Sequence, residues 1–351
     1  MESKVLINDF DEIILQKINL NKLANKHILI AGANGFIGSY LLSFFLYLNK
    51  IKDLNITIHA LVRDKKKLNP LLKSNKKNEH LNIYQNDISK AKPKIPYNLD
   101  YIFHLASKAS PQEYINNPID IINSNLFGTF NLTEIALEKN CDKFVYFSSG
   151  EVYGSPTRKN QEFSEESFGT VDPLKLRSSN TESKRMAENI ILSINKKDNL
   201  NFNIIRPFHT YGPGMSLESG LIHNELISNI LLNENLIIKS NGLAKRNFCY
   251  ISDFIAGFLK VLIHGEINSA YNVANPYEET TIKSLAKKLI QISKNNSLKV
   301  IYKIDNKNIK RDNNVSRSLP SIEKIKKLKW EPKVDLDEGL KRTLEYYKEL
   351  K

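Results

Sequence analysis

Apolar and polar positions follow two alternating patterns along the first 206 residues of the chain. Short apolar runs such as His27-Ile-Leu-Ile-Ala31 are too short for helices and end at turn-forming residues. Longer stretches between them repeat apolar residues at helical spacing. The patterns predict strands at 27–31, 56–61, 101–105, 143–148 and 203–206, and helices at 37–48, 121–139 and 181–194. Alternating strands and helices indicate an α/β fold with a doubly wound parallel sheet.

The two ends of the chain depart from this alternation. Residues 1–26 carry Phe10 and Ile13 among apolar positions at helical spacing, which predicts a lead-in helix packed on the body. Beyond residue 206 the turn Tyr211-Gly-Pro-Gly214 interrupts the pattern, and short strands mix with helices. We therefore expect a sheet domain at 27–206 and a smaller mixed α/β lobe at 207–351 that shares some segments with it.

Composition narrows the class of partner only in part. The 351 residues include 51 lysines and arginines against 38 acidic residues, a formal net charge of +13. Such a surplus fits nucleic acid, an anionic membrane, a polyanionic small molecule or a lysine-rich surface. No nucleic-acid recognition motif accompanies it, so we expect no nucleic-acid partner. The lysine- and asparagine-rich stretches 64–79 and 293–313 are predicted to be solvated loops.

Cysteine content and hydropathy indicate the cellular compartment in which we expect the protein. Cys141 and Cys249 are too few and too far apart for a disulfide framework or a C-x-x-C metal site. The apolar run at 40–48 is shorter than the ~20 residues that cross a bilayer. The acidic start of the chain does not resemble a secretory signal. We expect a cytoplasmic protein with no membrane segment and no bound metal.

A glycine-rich turn follows the first predicted strand and precedes a predicted helix. Its first glycine permits a tight turn, its second lets the backbone approach a pyrophosphate, and its third allows close helix packing. The helix N-terminus then presents N–H groups to the phosphates. This strand-turn-helix context predicts a Rossmann-type dinucleotide site. The residues assigned to it are Gly32, Asn34, Gly35, Phe36, Ile37 and Gly38.

The end of the second predicted strand leaves the dinucleotide open between two forms. Arg63 favours the 2′-phosphate of NADP, whereas Asp64 favours the ribose hydroxyl of NAD. We expect NAD, with NADP as the alternative that Arg63 keeps open.

From residue 27 to about 350 the chain resembles the extended short-chain dehydrogenase/reductase family of nucleotide-sugar epimerases, dehydratases and decarboxylases. Four segments carry the resemblance in the family's order: Asn86-Asp87-Ile88, His104 to Pro111, Asn125-Leu-Phe-Gly-Thr129 and Ser148-Ser-Gly-Glu-Val-Tyr-Gly154. Within the family the chain is most similar to UDP-glucuronate decarboxylases. That similarity rests on Ala109-Ser-Pro111 with Tyr114, on Gly169 to Pro173, on Arg177 to Arg185, on Arg206 to Gly214, on Arg246 to Asp253 and on Trp330-Glu-Pro332.

The resemblance assigns roles to further residues. It implies cofactor contacts at Asp87, Ile88, Leu105, Ala106, Ser107, Asn125 and Lys184. It implies substrate contacts at Ser110, Ser149, Glu151, His209, Arg246 and Arg317. Guanidinium groups suit pyrophosphates and carboxylates because they bind them bidentately. The implied substrate is a nucleotide-activated sugar, and many relatives form dimers through helices that here correspond to 121–139 and 181–194.

One residue departs from the family's catalytic pattern. The family pairs a tyrosine with a lysine four residues later, so that both lie on one helix face. Lys184 matches the lysine, but Asn180 stands at the tyrosine position. An amide cannot accept a proton near neutral pH as a phenolate does. Three interpretations follow: an engineered inactive variant, a natural enzyme in which another group takes the proton, or a non-catalytic nucleotide-sugar binding protein.

The strand before that helix bears on the reaction. Ser149 occupies the place of the hydroxyl that hydrogen-bonds the sugar, and Glu151 follows two residues later. Similar 4,6-dehydratases carry an Asp-Glu pair there, whereas Gly150 fills the aspartate's place here. One carboxylate cannot make both proton transfers of dehydration. We expect sugar oxidation at C4 followed by decarboxylation, with a 4-epimerase and a 4-reductase or dehydrogenase as alternatives.

Overall fold

The computed structural model describes residues 3–107, 110–158, 161–303 and 319–350. Within these residues, seven parallel strands form one sheet in the order β3-β2-β1-β4-β5-β7-β12. The strands are β1 (His27–Ala31), β2 (Thr57–Val62), β3 (Leu81–Gln85), β4 (Tyr101–His104), β5 (Lys143–Phe147), β7 (Phe202–Pro207) and β12 (Ser269–Val273). This topology confirms the predicted Rossmann-type doubly wound α/β sheet.

Helices cover both faces of the sheet. The helices are α1 (Lys4–Ile14), α2 (Phe36–Lys52), α3 (Pro70–Asn75), α4 (Pro111–Asn116), α5 (Pro118–Glu138), α6 (Ser178–Asp198), α7 (Ile222–Leu231), α8 (Ile251–His264), α9 (Ile282–Ser293), α10 (Glu323–Lys326) and α11 (Leu336–Glu349). Two single 3₁₀ turns lie at Leu20–Leu23 and Gly150–Tyr153 in the described chain.

Strand β1 shows why its apolar run has no alternation. Ile28 and Ile30 lie in the core beneath α2 and α8, whereas Leu29 and Ala31 lie in a second core beneath α5 and α6. A parallel strand between two helical layers is buried on both faces, so every position is apolar.

Short two-stranded pairings complete the C-terminal part. Their strands are β6 (Glu162–Phe163), β8 (Thr210–Tyr211), β9 (Leu236–Ile238), β10 (Lys245–Asn247), β11 (Cys249–Tyr250), β13 (Glu279–Thr281), β14 (Val300–Tyr302) and β15 (Leu319–Pro320). Strand β12 and helix α8, both from the stretch 207–351, belong to the large sheet and its covering layer. The sheet is therefore not built from residues 27–206 alone.

Two predicted loops contain regular structure. The stretch 64–79 contains α3, which Asn69 caps by accepting a hydrogen bond from Leu72 N. Leu71 and Leu72 of this helix are buried. Part of the stretch 293–313 forms β14, which pairs with β9. The prediction of solvated loops was wrong there, because lysine and asparagine content outweighed a few apolar positions. Strand β3 was missed for the same reason.

The N-terminal helix is fastened to the C-terminal helix by a buried polar network, here called the terminal clasp (Asp9, Glu12, Tyr40, Tyr250 and Arg342). Asp9 is fully buried and accepts hydrogen bonds from both tyrosine hydroxyls at 3.0 and 2.9 Å. Arg342 donates to Asp9 at 3.0 Å and to both oxygens of Glu12. Both carboxylate oxygens of Asp9 are thus paired, and these bonds join α1 to α2, α11 and Tyr250.

Candidate active site

The glycine turn joins β1 to α2 and lies against the end of β4. Gly32 has φ +89°, and a Cβ there would lie 2.7 Å from the backbone nitrogen of Ala106. Only glycine fits, since both the left-handed backbone and the close approach exclude a side chain. Gly38 is packed on the carbonyl of Gly32 in the same way, and Gly35 is the N-cap of α2 without any side chain. Phe36 and Ile37 form the first helical turn behind this open end.

Asn34 joins the turn to the loop that follows β2. Its amide donates to the carbonyl of Lys67 at 2.8 Å and accepts from the Asn69 nitrogen at 2.7 Å. Asp64 turns its carboxylate back to the nitrogen of Lys66 at 2.8 Å, whereas Arg63 is exposed. The loop is therefore braced by Asn34, and Arg63 is the more open of the two candidate discriminators.

The end of β3 carries Asp87 and Ile88. Asp87 accepts from the nitrogen and hydroxyl of Ser89 at 3.1 and 2.6 Å. Burial raises the pKa of Asp87, but the hydrogen bonds from Ser89 outweigh it and the net shift is downward. Ile88 lies against Gly128 of α5, where a Cβ would meet it at 2.8 Å. Helix α5 can approach this edge closely because that position has no side chain.

The end of β4 leads into Leu105, Ala106 and Ser107. Leu105 N donates to the carbonyl of Ala31 at 2.8 Å, which holds this segment beside the glycine turn. Ser110 donates through its hydroxyl to the carbonyl of Ser219 at 2.8 Å. The edge of the sheet is thus tied to the C-terminal part of the chain at this point.

The end of β5 forms a tight 3₁₀ turn at Gly150–Tyr153 that presents the candidate chemistry. Ser149 is its N-cap and accepts from Glu151 N at 3.1 Å. A Cβ at Gly150 would lie 2.6 Å from the ring of Phe208. The aromatic ring occupies the space in which a second carboxylate would stand, so Glu151 is the carboxylate that this turn offers.

Helix α6 brings Asn180, which stands at the family's tyrosine position, next to the Glu151 carboxylate. Asn180 is 2% exposed, and its Nδ2 donates to Oε2 of Glu151 at 2.8 Å. Lys184 lies one turn further, and its Nζ donates to the carbonyl of Phe147 at 2.6 Å and lies 4.6 Å from the ring centre of Tyr146. Burial lowers the pKa of Lys184 to about 7, although Glu188 opposes the shift.

Sequence reasoning gave no role to two residues beside Glu151. Arg177 donates from Nη2 to Oε1 of Glu151 at 3.1 Å, and its side chain is 61% exposed. Tyr114 of α4 is buried, and burial together with the charge on Glu151 raises the pKa of its phenol well above the usual range. Both residues lie in segments that carry the family resemblance. A sequence does not show which residues of different helices come into contact.

The C-terminal part contributes His209 and Arg246. His209 has φ +25°, and burial lowers the pKa of its ring to about 3, with Arg246 adding to the shift. The imidazole is therefore neutral at physiological pH. Arg246 lies on β10 and donates to the carbonyl of Lys245 at 2.7 Å. Arg317 lies outside the described residues, so its predicted role stays a prediction.

Several buried oxygens have no hydrogen-bond partner among the described residues, and four of them belong to the segments that build this site. We call four of them the unpaired edge: Ser107 Oγ, Asn125 Oδ1, Tyr146 Oη and Ser148 Oγ. Buried polar groups are normally paired, so such a cluster indicates a ligand or water that supplies the partners. Together with the bare turn at Gly32 and the open N-terminus of α2, these groups fit a dinucleotide.

Two absences can be stated for the described residues. In those ranges no group of three His, Cys, Asp or Glu side chains could hold a metal ion. Across the same part of the chain, no helix has the length and apolar content needed to span a bilayer.

The fold and the site together define a dinucleotide-binding α/β protein with a serine, a glutamate and a lysine at the carboxyl ends of its strands. Comparison with known proteins agrees. The model of the NAD dependent epimerase/dehydratase family matches residues 28–274, and the chain belongs to this family. The chain is thus a member of an enzyme family, and the family's description confirms NAD as the cofactor.

Two relatives by sequence carry the same activity in their names. UDP-glucuronic acid decarboxylase 5 of Arabidopsis thaliana is 31% identical over 320 residues, which cover 90% of this chain and 88% of that protein. UDP-glucuronic acid decarboxylase 1 of Xenopus tropicalis is 30% identical over 332 residues, which cover 94% of this chain and 74% of that protein. The resemblance to nucleotide-sugar enzymes of this family is confirmed.

The solved structures support the fold. UDP-glucose 4-epimerase of Thermotoga maritima has a TM-score of 0.76 and 24% identity, covering 92% of this chain and 99% of its own. UDP-glucuronic acid 4-epimerase of Bacillus cereus has a TM-score of 0.73 and 23% identity, covering 93% and 100%. At this level of identity the likeness concerns the fold alone.

Proposed function

We propose that the chain is an NAD-dependent decarboxylase of a nucleotide-activated uronic acid, with UDP-glucuronate as the substrate to test first. The sugar is oxidised at C4, and the 4-keto group accepts the electrons left when the C5 carboxylate departs as CO₂. A proton is then added at C5, and the resulting keto sugar is reduced again at C4. The names of the relatives support this substrate class. The observation that carries the proposal lies in the turn after β5.

That observation is the packing of Gly150 against Phe208. A Cβ at this position would lie 2.6 Å from the ring, so an aspartate cannot stand beside Glu151 without displacing Phe208. Dehydration needs one group to remove a proton and another to protonate the departing hydroxyl. Decarboxylation removes no proton from C5 and expels no hydroxyl, because the carboxylate leaves as CO₂, so it needs only a proton donor for C5.

The remaining roles follow from position. NAD, when bound, takes a hydride from the sugar and returns it. The bare turn at Gly32 would leave room for its pyrophosphate, and Asn125 and Lys184 would contact the cofactor at the same edge of the sheet. Ser149 orients the sugar hydroxyl beside Glu151. Arg246 and Arg317 bind the charged groups of the sugar nucleotide, since guanidinium groups pair bidentately with pyrophosphate.

The test is incubation of the purified protein with NAD and UDP-glucuronate, followed by mass spectrometry of the nucleotide sugars. Decarboxylation produces a UDP-pentose and CO₂. A 4-epimerase would leave the mass unchanged and alter only the sugar's stereochemistry, and a dehydrogenase would accumulate NADH. Either result would replace decarboxylation within the same family of reactions.

The amide at Asn180 supports a second candidate of another class, a non-catalytic binding protein. Such a protein binds NAD and a sugar nucleotide without turnover. Introducing the family's phenol by Asn180→Tyr discriminates. A native enzyme shows turnover before the change, an inactivated one gains it afterwards, and a binding protein with a decayed site shows none in either form while both ligands bind.

We also propose that two copies of the chain form a homodimer through the outer sides of α5 and α6. Phe127 and Phe130 of α5 are 53% and 46% exposed, and Met186 and Leu192 of α6 are 51% and 53% exposed. Large exposed apolar side chains on adjacent helices favour a protein partner. Analytical ultracentrifugation of the protein and of a Phe127→Glu, Met186→Glu variant tests it, because the variant should sediment as a monomer.

The remaining partner and location assignments are part of the same proposal. The described chain has two unbridged cysteines, which suits a reducing cytoplasm. We expect no nucleic-acid partner, and a flat DNA or RNA titration at low salt is the supporting result.

A further inference from the structure

The side chains of Asn180, Glu151 and Arg177 form a hydrogen-bonded row at the candidate active site. Asn180 Nδ2 donates to Oε2 of Glu151 at 2.8 Å, and Arg177 Nη2 donates to Oε1 at 3.1 Å. The row joins both ends of one carboxylate to the first turn of α6. The buried side chain at position 180 supplies a hydrogen-bond donor to the carboxylate, and in this chain that donor is the neutral amide of Asn180.

We propose that Glu151 is the proton acceptor in the oxidation of the sugar, and that Asn180 and Arg177 are the residues that position it. This inference rests on the proposed function and names the group that does the work of the missing phenol.

Distance supports this assignment. Glu151 Oε2 accepts a hydrogen bond from Asn180 Nδ2 at 2.8 Å. The carboxylate therefore lies next to the position that the family's tyrosine occupies. The same 3₁₀ turn carries Ser149, whose Oγ accepts a hydrogen bond from the backbone nitrogen of Glu151 at 3.1 Å. The hydroxyl that orients the sugar and the carboxylate that takes its proton are therefore assigned to one turn.

The Glu151 carboxylate can still accept a hydrogen bond, and then a proton, from a sugar hydroxyl. An ionised carboxylate has about four lone-pair sites and no proton to donate. Asn180 and Arg177 take one site on each oxygen. Further acceptor sites stay available, and a neutral amide donor holds the group without giving it a proton.

The charged and titratable groups that face Glu151 do not compete for this role. Tyr114 of α4 has a phenol whose pKa is raised well above its usual range by burial, so it holds its proton. Arg177 is a permanent cation. Burial lowers the pKa of the His209 ring to about 3, and the charges on Arg246 and Arg177 add to the shift, so the ring is a weak proton acceptor. Lys184 of α6 directs its Nζ to the carbonyl of Phe147, to which it donates at 2.6 Å.

The step balances. The C4–H bond breaks and its electron pair leaves with the hydrogen as hydride to NAD⁺, which is reduced. The hydroxyl O–H bond breaks and its proton passes to an oxygen of Glu151, while C4 becomes a carbonyl. When the hydride returns, the protonated Glu151 gives the proton back to the alkoxide oxygen.

The experiment compares Glu151→Gln, Glu151→Ala and the double variant Asn180→Tyr, Glu151→Gln with the unaltered protein. Turnover of UDP-glucuronate with NAD is followed by mass spectrometry, and formate is added to Glu151→Ala as an external carboxylate. Binding of UDP-glucuronate is measured separately by calorimetry. Glu166→Gln is the matched control, because Glu166 is an exposed carboxylate on a neighbouring loop.

We expect Glu151→Gln to lose about 10²–10⁴-fold in turnover, the usual contribution of a general base. Its Kd for UDP-glucuronate should change by less than about tenfold, since the amide keeps most of the contacts. Either formate with Glu151→Ala or the phenol of Asn180→Tyr in the double variant should restore turnover. Asn180→Ala should lower kcat and leave KM nearly unchanged, as expected of a positioning residue.

Other results overturn the inference. Turnover by Glu151→Gln within tenfold of the unaltered protein does so, and so does a loss that neither formate nor the phenol repairs. If the unaltered protein binds both ligands without turnover and gains turnover on Asn180→Tyr alone, Glu151 is not the acceptor, although nucleotide-sugar binding stands. If calorimetry detects no UDP-glucuronate binding, the proposed substrate itself is wrong.

Discussion

Two buried polar regions of the molecule differ in how completely their atoms are paired. In the terminal clasp, three hydrogen bonds satisfy both oxygens of Asp9. At the unpaired edge of the sheet, buried serine, amide and phenol oxygens have no partner among the described residues. The hydrogen bonds of Asp9 in the clasp are satisfied by the protein itself, whereas the oxygens of the unpaired edge need a ligand or water as partner.

The difference separates structural from functional polar groups on physical grounds. Leaving a buried donor or acceptor unpaired costs about 1–3 kcal/mol, so folding alone does not favour such groups. A chain that keeps several of them at one edge is organised for a partner that binds there. Lys184 is also a buried polar group beside the site. Burial lowers its pKa to about 7, although the charge on Glu188 opposes the shift.

The largest expected effect concerns the clasp. Arg342→Met leaves Asp9 and Glu12 without their cation, and breaking a buried pair in this way costs about 3–5 kcal/mol in the free energy of unfolding. Urea denaturation measures it. Lys341→Met, on the same helix but exposed, is the control and should stay within about 0.5 kcal/mol. A loss below about 1 kcal/mol for Arg342→Met would show that the clasp is not the structural region described here.

A smaller effect concerns the wall of the site. Gly150→Asp places a side chain 2.6 Å from the ring of Phe208, and overpacking of this kind costs about 1–3 kcal/mol. Phe208→Val opens the space, so the double variant should recover part of the loss in a double-mutant cycle. Strict additivity of the two changes would mean that Phe208 does not set the residue at position 150.

The two regions should respond to pH in separate windows. Burial raises the pKa of Asp9 from 3.8 to about 6, so the folded chain holds a proton longer than the unfolded chain, and stability falls as pH rises from about 4 to 6. Burial lowers the pKa of Lys184 from 10.5 to about 7, so the unfolded chain binds the extra proton there. Stability should then rise with pH from about 7 to 10.5.

Denaturation at a series of pH values checks both slopes, each at most about 1.4 kcal/mol per pH unit. Asp9→Asn should make the slope between about pH 4 and 6 less negative, while Asp253, whose pKa burial also raises to about 6, keeps its own contribution. Lys184→Met should make the slope between about pH 7 and 10.5 less positive. A single variant that changed both slopes would contradict the assignment to two independent groups.

The smallest expected loss of stability concerns the unpaired edge. Ser148→Ala removes a buried hydroxyl that has no partner among the described residues, so the free energy of unfolding should not fall and should rise by at most about 1–3 kcal/mol. Affinity for NAD or the sugar nucleotide, measured by calorimetry, should fall instead. A clear loss of stability with unchanged binding would place Ser148 with the structural groups.

Sequence reasoning placed Gly32 and Ser149 at the ends of predicted strands, and the structure has both there, whereas their functional roles stay predictions. The two residues lie at one edge because the carboxyl ends of parallel strands meet there, and Lys184 reaches that edge from α6. Sequence reasoning missed β3 and α3, whose apolar residues are few among lysines and asparagines. It also missed Arg177 and Tyr114, because their relation to Glu151 depends on how α4 and α6 pack.

The sequence by itself determined the parallel α/β fold, the glycine turn and the substitution of Asn180 for tyrosine, because these follow from periodicity, backbone freedom and residue identity. The tertiary structure decided what Asn180 does. It places the amide 2.8 Å from Glu151, Arg177 on the other oxygen and Phe208 over Gly150. Such contacts join residues distant along the chain, and their distances depend on how helices and strands pack rather than on local sequence.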